Sequence, residues 1–450
     1  MIREPFPPCN TSNLSLVPFP FLPLSLSPFA PLCLCPFVHL SFTHRLFCDS
    51  KTMCSVSLKG TIGGGNHTYQ KGLTSMSEHY DVIIVGGGYA GLCCGLKLVS
   101  NGKRILLLEA RKKIARKNRG CQCSLYPFGE TFTMEGKDIT FHRNDITVKN
   151  ALMAQLTTVE CASGNYTLNT TPSDPMPIID EGKVKGTLEN VCREKGVNIS
   201  AGTKVKSIET DGQRVRVSAD KQYEADYLVG ADGAHSLVMR STPLMRKKIG
   251  TFVEMEVEAE RMNIPPNAFY AELRNILAGL YAQPYGEGYM LGVFQGLSPG
   301  STRIDLKGYL EESLHKLKAG GITHRYGCSI PIYLSASSSH YKNILMAGDS
   351  VGSFSMVTIT GAMLMGFLAG EALLKKMEGI TGAFEEYHKA WRSALQQQSM
   401  DKMRSFFFLL KRLNEKRMPR LVKALAGSDL ASVGKWYYIK RIPSIVKAFF

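Results

Sequence analysis

DVIIVGGGYAGLCCGLKLVSNGKRILLLEA, residues 81–110, is the stretch whose reading decides the fold. Asp81 to Val85 is a short apolar run suited to a buried parallel strand, and Gly86-x-Gly88-x-x-Gly91 follows, opening a helical pattern that reaches to about Asn101. A second apolar strand, Arg104 to Leu108, ends on Glu109, 18 residues after Gly91. In that order the glycines provide a tight turn, close backbone approach to a pyrophosphate and close helix packing, and the first N–H groups of the helix bind phosphate. Glu109 is placed to accept hydrogen bonds from an adenosine ribose. A glycine triplet alone is weak. Strand, glycines, helix, strand and acid in register predict a dinucleotide-binding domain, with NAD and FAD both still open.

Two later segments separate them. DYLVGADGAHS (226–236) is an apolar strand running into Asp232-Gly233. NILMAGDSVGSFSMVTITGAMLMGFLAGEAL (343–373) reads as a strand, a Gly348-Asp349 turn and a long Gly/Ala-rich helix. An NAD dehydrogenase needs neither. Here the sequence resembles the flavoprotein superfamily of aromatic hydroxylases and geranylgeranyl reductases, in which the three motifs come in this order around a substrate domain. By that resemblance Asp349 binds the ribityl chain of FAD and Asp232-Gly233 lies beside the pyrophosphate. A helix starting near Thr360-Gly361 would aim its positive end at the flavin N1/C2=O edge, where reduced flavin carries negative charge. The cofactor-binding residues so implied are Gly86, Gly88, Tyr89, Ala90, Gly91, Glu109, Ala110, Arg116, Asp232, Gly233, Gly348, Asp349, Gly361 and Ala362.

Within the superfamily the sequence is most similar to the geranylgeranyl reductase family, over essentially all of 78–450. The motif spacing carries the resemblance, with RKNRG (116–120) after the second strand and the tail RLVKALAGSDLASVGKWYYIKRIPSIVKAFF. It implies an FAD-dependent reductase of C=C bonds in isoprenoid chains, acting on a prenyl lipid or quinone by hydride transfer from flavin N5. No second cradle for NAD(P)H is legible, because Gly63 to Gly65 are not followed by a helical pattern. The electron donor is therefore external, NAD(P)H or ferredoxin. Two segments depart from the family pattern. The Pro/Tyr/Trp/Phe motif of archaeal members corresponds to Leu280-Tyr281-Ala282-Gln283-Pro284-Tyr285-Gly286, without tryptophan, and D-R-x-x-F-D becomes Asp180-Glu181-Gly182-Lys183-Val184-Lys185. Tyr281, Pro284 and Tyr285 are the candidates for lining a substrate pocket.

The predicted fold class is α/β, a Rossmann-like FAD-binding domain interleaved with an antiparallel-sheet substrate domain, plus C-terminal helices. FVEMEVEA (252–259) alternates as a half-buried strand, NAFYAEL, GLYAQPY and GYMLGVF read as further strands, and a helix is predicted near GYLEESLHKLKA. The FAD-binding parts are placed at 76–125, 176–247 and 336–385, the substrate parts at 126–175 and 248–335, and a basic helical region at 386–450.

Residues 1–75 are set apart as a non-native or disordered extension. VPFPFLPLSLSPFAPLCLCPFVHLSF (17–42) is apolar, but six prolines break the backbone ladder that a spanning helix needs. Its bias to Leu, Pro, Ser and Phe is what a translated pyrimidine-rich noncoding tract would give, so translation is expected to begin at Met76. Five of the 12 cysteines lie in this extension, and the other seven form no C-x-x-C pair and no zinc-like cluster. That predicts reduced thiols in a cytoplasmic enzyme, with no metal. Cys93 and Cys94 read as packing residues of the first helix.

The net charge of +16 is uneven: residues 401–450 carry 12 Lys+Arg against 3 Asp+Glu. MRSFFFLLKRLNEKRMPRLVKAL (403–425) suits a helix on an anionic membrane surface, or one packing on the protein's own core. No nucleic-acid-binding module accompanies the charge. Two alternatives share the motifs: an FAD-dependent monooxygenase of a hydrophobic substrate, and a non-catalytic prenyl-binding escort.

Overall fold

The computed structural model describes residues 78–117, 122–125, 131–172, 174–275, 278–297, 303–333, 336–352, 358–395 and 415–425. The N-terminal extension, Cys121, most of RKNRG and most of the basic tail lie outside them.

The chain opens as predicted with β1 (Glu78–Val85), α1 (Tyr89–Val99) and β2 (Ile105–Glu109), and Val82, Ile83, Ile84 and Leu107 are fully buried. Cys93 and Cys94 are buried on α1 as packing residues. A small sheet follows from β3 (Phe132–Glu135), β4 (Asp138–Phe141) and β5 (Ile146–Val148). Next come β6 (Leu152–Leu156), β7 (Thr158–Ser163), β8 (Tyr166–Thr170) and β9 (Met176–Ile179), with β6 and β9 pairing across residue 175. Helix α2 (Glu181–Glu194) starts where the Asp180 carboxylate accepts the Lys183 N–H at 3.0 Å. The chain continues through β10 (Asn198–Ala201), β11 (Ser207–Thr210), β12 (Val215–Ser218), β13 (Gln222–Gly230) and the short α3 (Leu237–Arg240).

Four long strands then run back and forth: β14 (Lys248–Arg261), β15 (Ala268–Asn275), β16 (Ala278–Tyr285) and β17 (Gly288–Leu297). After α4 (Leu306–Lys316) come β18 (Gly320–Tyr333), β19 (His340–Tyr341) and β20 (Ile344–Met346). Helices α5 (Ile359–Met377), α6 (Ala383–Ala394) and α7 (Met418–Leu425) complete the described chain.

Two sheets organise the molecule. The first has the order β10-β2-β1-β13-β12-β11, with β20 pairing β13 and β19; β10, β2, β1, β13 and β20 are mutually parallel. Apolar strands buried on both faces suit that arrangement. The second has the order β18-β14-β17-β16-β15-β7-β8 and is antiparallel except where β15 pairs β7 in parallel. β7 and β8, from the segment 126–175, thus join one sheet with the strands of 248–335.

Alternation along β14 to β17 divides the second sheet into two faces. Val257, Leu280, Ala282, Leu291 and Val293 form a core of their own under α4. Phe269, Tyr281, Met290 and Phe294, on the other face, belong to the same core as β1 and α1. The second sheet therefore turns one face toward the dinucleotide cradle.

Candidate functional site

The cradle is built by three glycines with three different constraints. Gly86 has φ +109° and a Cβ there would stand 2.3 Å from the Ala231 carbonyl oxygen, so β1 ends hard against the β13 motif. A Cβ on Gly91 would stand 2.0 Å from the Gly86 oxygen, which packs α1 onto the turn. Over Gly88 a Cβ would meet nothing within 4 Å. Space for an incoming group lies there, at the N-cap of a helix with no side-chain cap and no acid in its first turn. Such an N-terminus favours phosphate.

Glu109 ends β2 with Oε2 accepting the Gly87 N–H at 2.7 Å and Oε1 accepting the Arg111 N–H at 2.8 Å. Each carboxylate oxygen keeps a further lone pair, so capacity for ribose hydroxyls remains. Ala110 and Arg116, the other candidates near this edge, are exposed.

Asp232 has a role the sequence did not reveal. Its Oδ2 accepts the Leu237 and Val238 N–H groups at 2.6 and 3.1 Å, capping α3, while Oδ1 is buried without a partner among the described residues. Burial pushes its pKa up, against the hydrogen bonds it accepts. Gly233 beside it has φ +77° with open space where a Cβ would be. Half of the carboxylate is thus a helix cap, and the other half is an orphaned acceptor beside an open turn.

Asp349 sits in a short 3-10 turn from Gly348 to Ser350. Burial pushes its carboxyl up to about 6, and Arg246 opposes that shift. Arg246 was not singled out from sequence, yet it ties the second and third motifs together. Its Nη2 donates to the Ala234 carbonyl at 3.1 Å and its Nη1 to the Asp349 carbonyl at 3.0 Å, with the guanidinium 4.2 Å from the centre of the Tyr333 ring. The only sequence signal was a basic run, Arg246 to Lys248.

Helix α5 starts at Ile359, where the Thr358 hydroxyl accepts the Gly361 N–H at 3.2 Å. The N–H of Ala362 goes to the Thr358 carbonyl at 2.8 Å. The N–H groups of Gly361 and Ala362 are therefore used within the helix cap, and what α5 offers a ligand is the field of its positive end. A Cβ on Gly366 would lie 2.1 Å from the Ala90 oxygen, and one on Gly348 would lie 3.2 Å from the Ala90 Cβ. Those contacts draw α5 and the third motif onto the first turn of α1. The altered segment at 180–185 lies on this side as well: Glu181 and Lys185 are buried, pair at 3.1 Å, and place the ammonium 5.9 Å from the centre of the Tyr89 ring.

Opposite the cradle, the facing side of the second sheet is polar where it meets the segment after β2. Lys117 pairs with Glu256, lies 3.4 Å from Glu258, and stands 4.9 and 4.8 Å from the ring centres of Tyr285 and Tyr326. Burial works against its ammonium, but Glu256, then Cys123 and Glu258, outweigh it and hold its pKa above the usual lysine range. Tyr281 crosses over Gly292, where a Cβ would collide with its ring at 2.3 Å, and donates to Glu256 Oε2 at 3.1 Å. Gln283 Nε2 donates to the Gln122 carbonyl at 2.6 Å, and its buried Oε1 has no partner among the described residues. The structure brings Tyr281 and Tyr285 onto this face. Pro284, between them, alternates to the other side.

Open space over Gly88 and an uncapped helix N-terminus fit the pyrophosphate of a dinucleotide, and the orphaned Asp232 oxygen fits a donor such as one of its hydroxyls. The comparisons agree. The family described as an FAD binding domain matches residues 79–292. The digeranylgeranylglycerophospholipid reductase of Methanocaldococcus jannaschii is 23% identical over 403 residues, covering 84% of this chain and 99% of that protein. A solved geranylgeranyl bacteriochlorophyll reductase-like protein from Thermoplasma acidophilum superposes with a TM-score of 0.69 at 17% identity, over 82% of this chain and 98% of that one. The chain carries an FAD binding domain, and over most of its length it is similar to digeranylgeranylglycerophospholipid reductases. The p-nitrophenol 4-monooxygenase of Pseudomonas putida shares the fold more distantly, with a TM-score of 0.58 at 16% identity over 83% of this chain and 99% of that one.

The protein is an FAD-dependent oxidoreductase, and its cofactor is FAD. When bound, FAD supplies a two-electron carrier able to pass hydride. Among the described residues no group of three or more His, Cys, Asp or Glu side chains is arranged to hold a metal ion, and no helix is long and apolar enough to cross a membrane.

Proposed function

We propose that this flavoenzyme saturates C=C bonds of an isoprenoid chain, on a geranylgeranyl lipid, a quinone or a similar carrier. The observation that carries the reading is the joint one: the cradle is intact, and the likeness to a digeranylgeranylglycerophospholipid reductase runs over 99% of that protein, facing sheet included. The Aklavinone 12-hydroxylase of Streptomyces purpurascens matches over only 40% of this chain and 38% of its own length. A match confined to less than half of either chain supports hydroxylation less than reduction. A non-catalytic prenyl-binding escort would have no use for Gly86, Gly88, Gly91, Glu109, Asp232 and Asp349 together.

In this reading Gly86 to Ala90 hold the pyrophosphate, Glu109 and Ala110 the adenosine end, and Asp349 the ribityl chain, while Arg116 closes the cradle edge. Tyr281 and Tyr285 bound the space between cradle and sheet, excluding water and orienting the alkene. Reducing equivalents come from an external donor, NAD(P)H or ferredoxin. The test is anaerobic incubation of the reduced holoenzyme with a geranylgeranyl lipid. Products gaining two hydrogens per bond are expected; oxygen-dependent hydroxylated product would establish the monooxygenase instead.

A membrane surface is the proposed place of work. On α7, Met418 and Val422 are buried while Arg420 and Lys423 are exposed, so the described part of the tail packs inward with its apolar side and presents charge outward. Co-sedimentation with anionic but not zwitterionic vesicles, weakened by salt, is expected; equal behaviour with both would remove this part of the proposal.

A further inference from the structure

Three glutamates, Glu254, Glu256 and Glu258, stand at alternate positions of β14 on the face turned toward the cradle. Their neighbours across β17 are Phe294, Gly292 and Met290, of which Phe294 and Met290 belong to the core shared with β1 and α1. Lys117, arriving from the cradle side, touches Glu256 and Glu258. Carboxyls on an interior strand are costly unless each is paired or neutral. One lysine cannot neutralise three, and the carboxyl it does not reach is Glu254.

Glu254 is only 4% exposed. Its Oε2 lies 3.7 Å from the Cys328 thiol on β18, and the Tyr281 hydroxyl lies between it and Glu256. The other end of the row opens to solvent: the Glu258 side chain is 18% exposed and bonded by the partly buried Tyr326 hydroxyl at 3.1 Å, with His324 Nδ1 at 3.3 Å. The row therefore runs from a buried acid to a wet one.

We propose that Glu254 is a proton store facing the flavin site, and that its carboxylic proton completes the reduction of the alkene. This rests on the reductase reading above. Hydride from reduced FAD forms a C–H bond at one alkene carbon, the π bond breaks, and the proton leaves the Glu254 carboxyl for the other carbon. FAD ends oxidised, the alkene reduced, and Glu254 a carboxylate that regains its proton from solvent along Glu256 and Glu258. The external two-electron donor restores reduced FAD. Burial, then the charge of Glu256, pushes the Glu254 carboxyl up to about 8, so it carries its proton at neutral pH. Glu256 is raised too, by burial, with Lys117 opposing. Two neighbouring acids with different pKa values can divide the work, one neutral donor and one ionised partner.

The experiment combines a substrate-free readout with a kinetic one, on the FAD-loaded protein. Infrared titration of the wild type is expected to show a protonated-carboxyl C=O band at neutral pH, disappearing with a midpoint near 8 and missing in Glu254→Gln. Anaerobic reoxidation of the reduced protein by a geranylgeranyl lipid is expected to slow about a hundredfold or more in Glu254→Gln. Glu254→Asp should recover part of the rate with a shifted pH profile. A band that survives in Glu254→Gln, or a Glu254→Gln rate and pH profile equal to wild type, overturns the proposal. If the wild type reduces no prenyl alkene, the reductase reading fails, and the infrared band still decides whether Glu254 holds the proton.

Discussion

Gly86 and Gly88 lie two residues apart and answer to different constraints. Gly86 combines φ +109° with a backbone oxygen 2.3 Å from any Cβ, so Gly86→Ala is expected to unfold the cradle and yield little soluble protein. Gly88 faces open space, so Gly88→Ala is expected to keep a near wild-type melting temperature while losing bound FAD, read from the ratio of flavin absorbance to protein. Equal flavin content in Gly88→Ala and wild type would count against the cradle. Asp349 supplies a pH prediction. An acid whose native pKa lies above its unfolded value binds its proton more tightly when folded, so its stabilising effect is present at low pH and is lost as pH rises from 3.8 to about 6. In FAD-free protein, urea midpoints should fall across that window, and Asp349→Asn should flatten the fall. At this scale the glycines and the two aspartates were legible because motif spacing exposes them. Arg246, Lys117 and Glu254 were not, because each acquires its role from partners on other elements: Arg246 at Asp349, Lys117 at Glu256 and Glu254 at Cys328.

Among elements, the contact between α1 and α5 positions the site. Gly366→Ala would press a methyl onto the Ala90 backbone at 2.1 Å, and overpacking of this kind costs about 1–3 kcal/mol. A lower melting temperature together with weaker FAD binding is expected, because the same contact brings the third motif to the cradle; a lower melting temperature alone would separate the two. Removing Arg246 as Arg246→Met deletes two charge-assisted bonds to carbonyls, each worth about 1.5–3 kcal/mol, and should loosen the second motif from the third. Differential hydrogen exchange in 232–246 and 348–352 is the measurement. Hydrophobic periodicity located β1, β2, β13 to β17, β20, α1, α4 and α5, and α5 begins within a residue or two of its predicted start. It could not show that β15 pairs with β7 in parallel, since pairing partners leave no local pattern. Nor could it say which face Pro284 takes before the register of β16 was known.

At the scale of the whole molecule, one sheet carries the cradle and the other roofs it, with polar groups concentrated where they meet. The α/β class and the interleaving of the two parts were readable because the FAD motifs recur at long intervals with alternating strands between them. The small sheet of β3 to β5 and the pairing of β6 with β9 were not, because short strands of mixed burial carry weak periodicity. The likeness to a digeranylgeranylglycerophospholipid reductase spans 99% of that protein, so it bears on the reaction as well as on the cofactor. The most direct test of the proposed reduction is anaerobic turnover of the reduced, FAD-loaded protein with a geranylgeranyl lipid, followed by mass spectrometry of the lipid. Products heavier by two hydrogens per saturated bond are expected, formed as flavin colour returns without oxygen. An unchanged lipid mass, with flavin bound and reduced throughout, would contradict the proposed reduction.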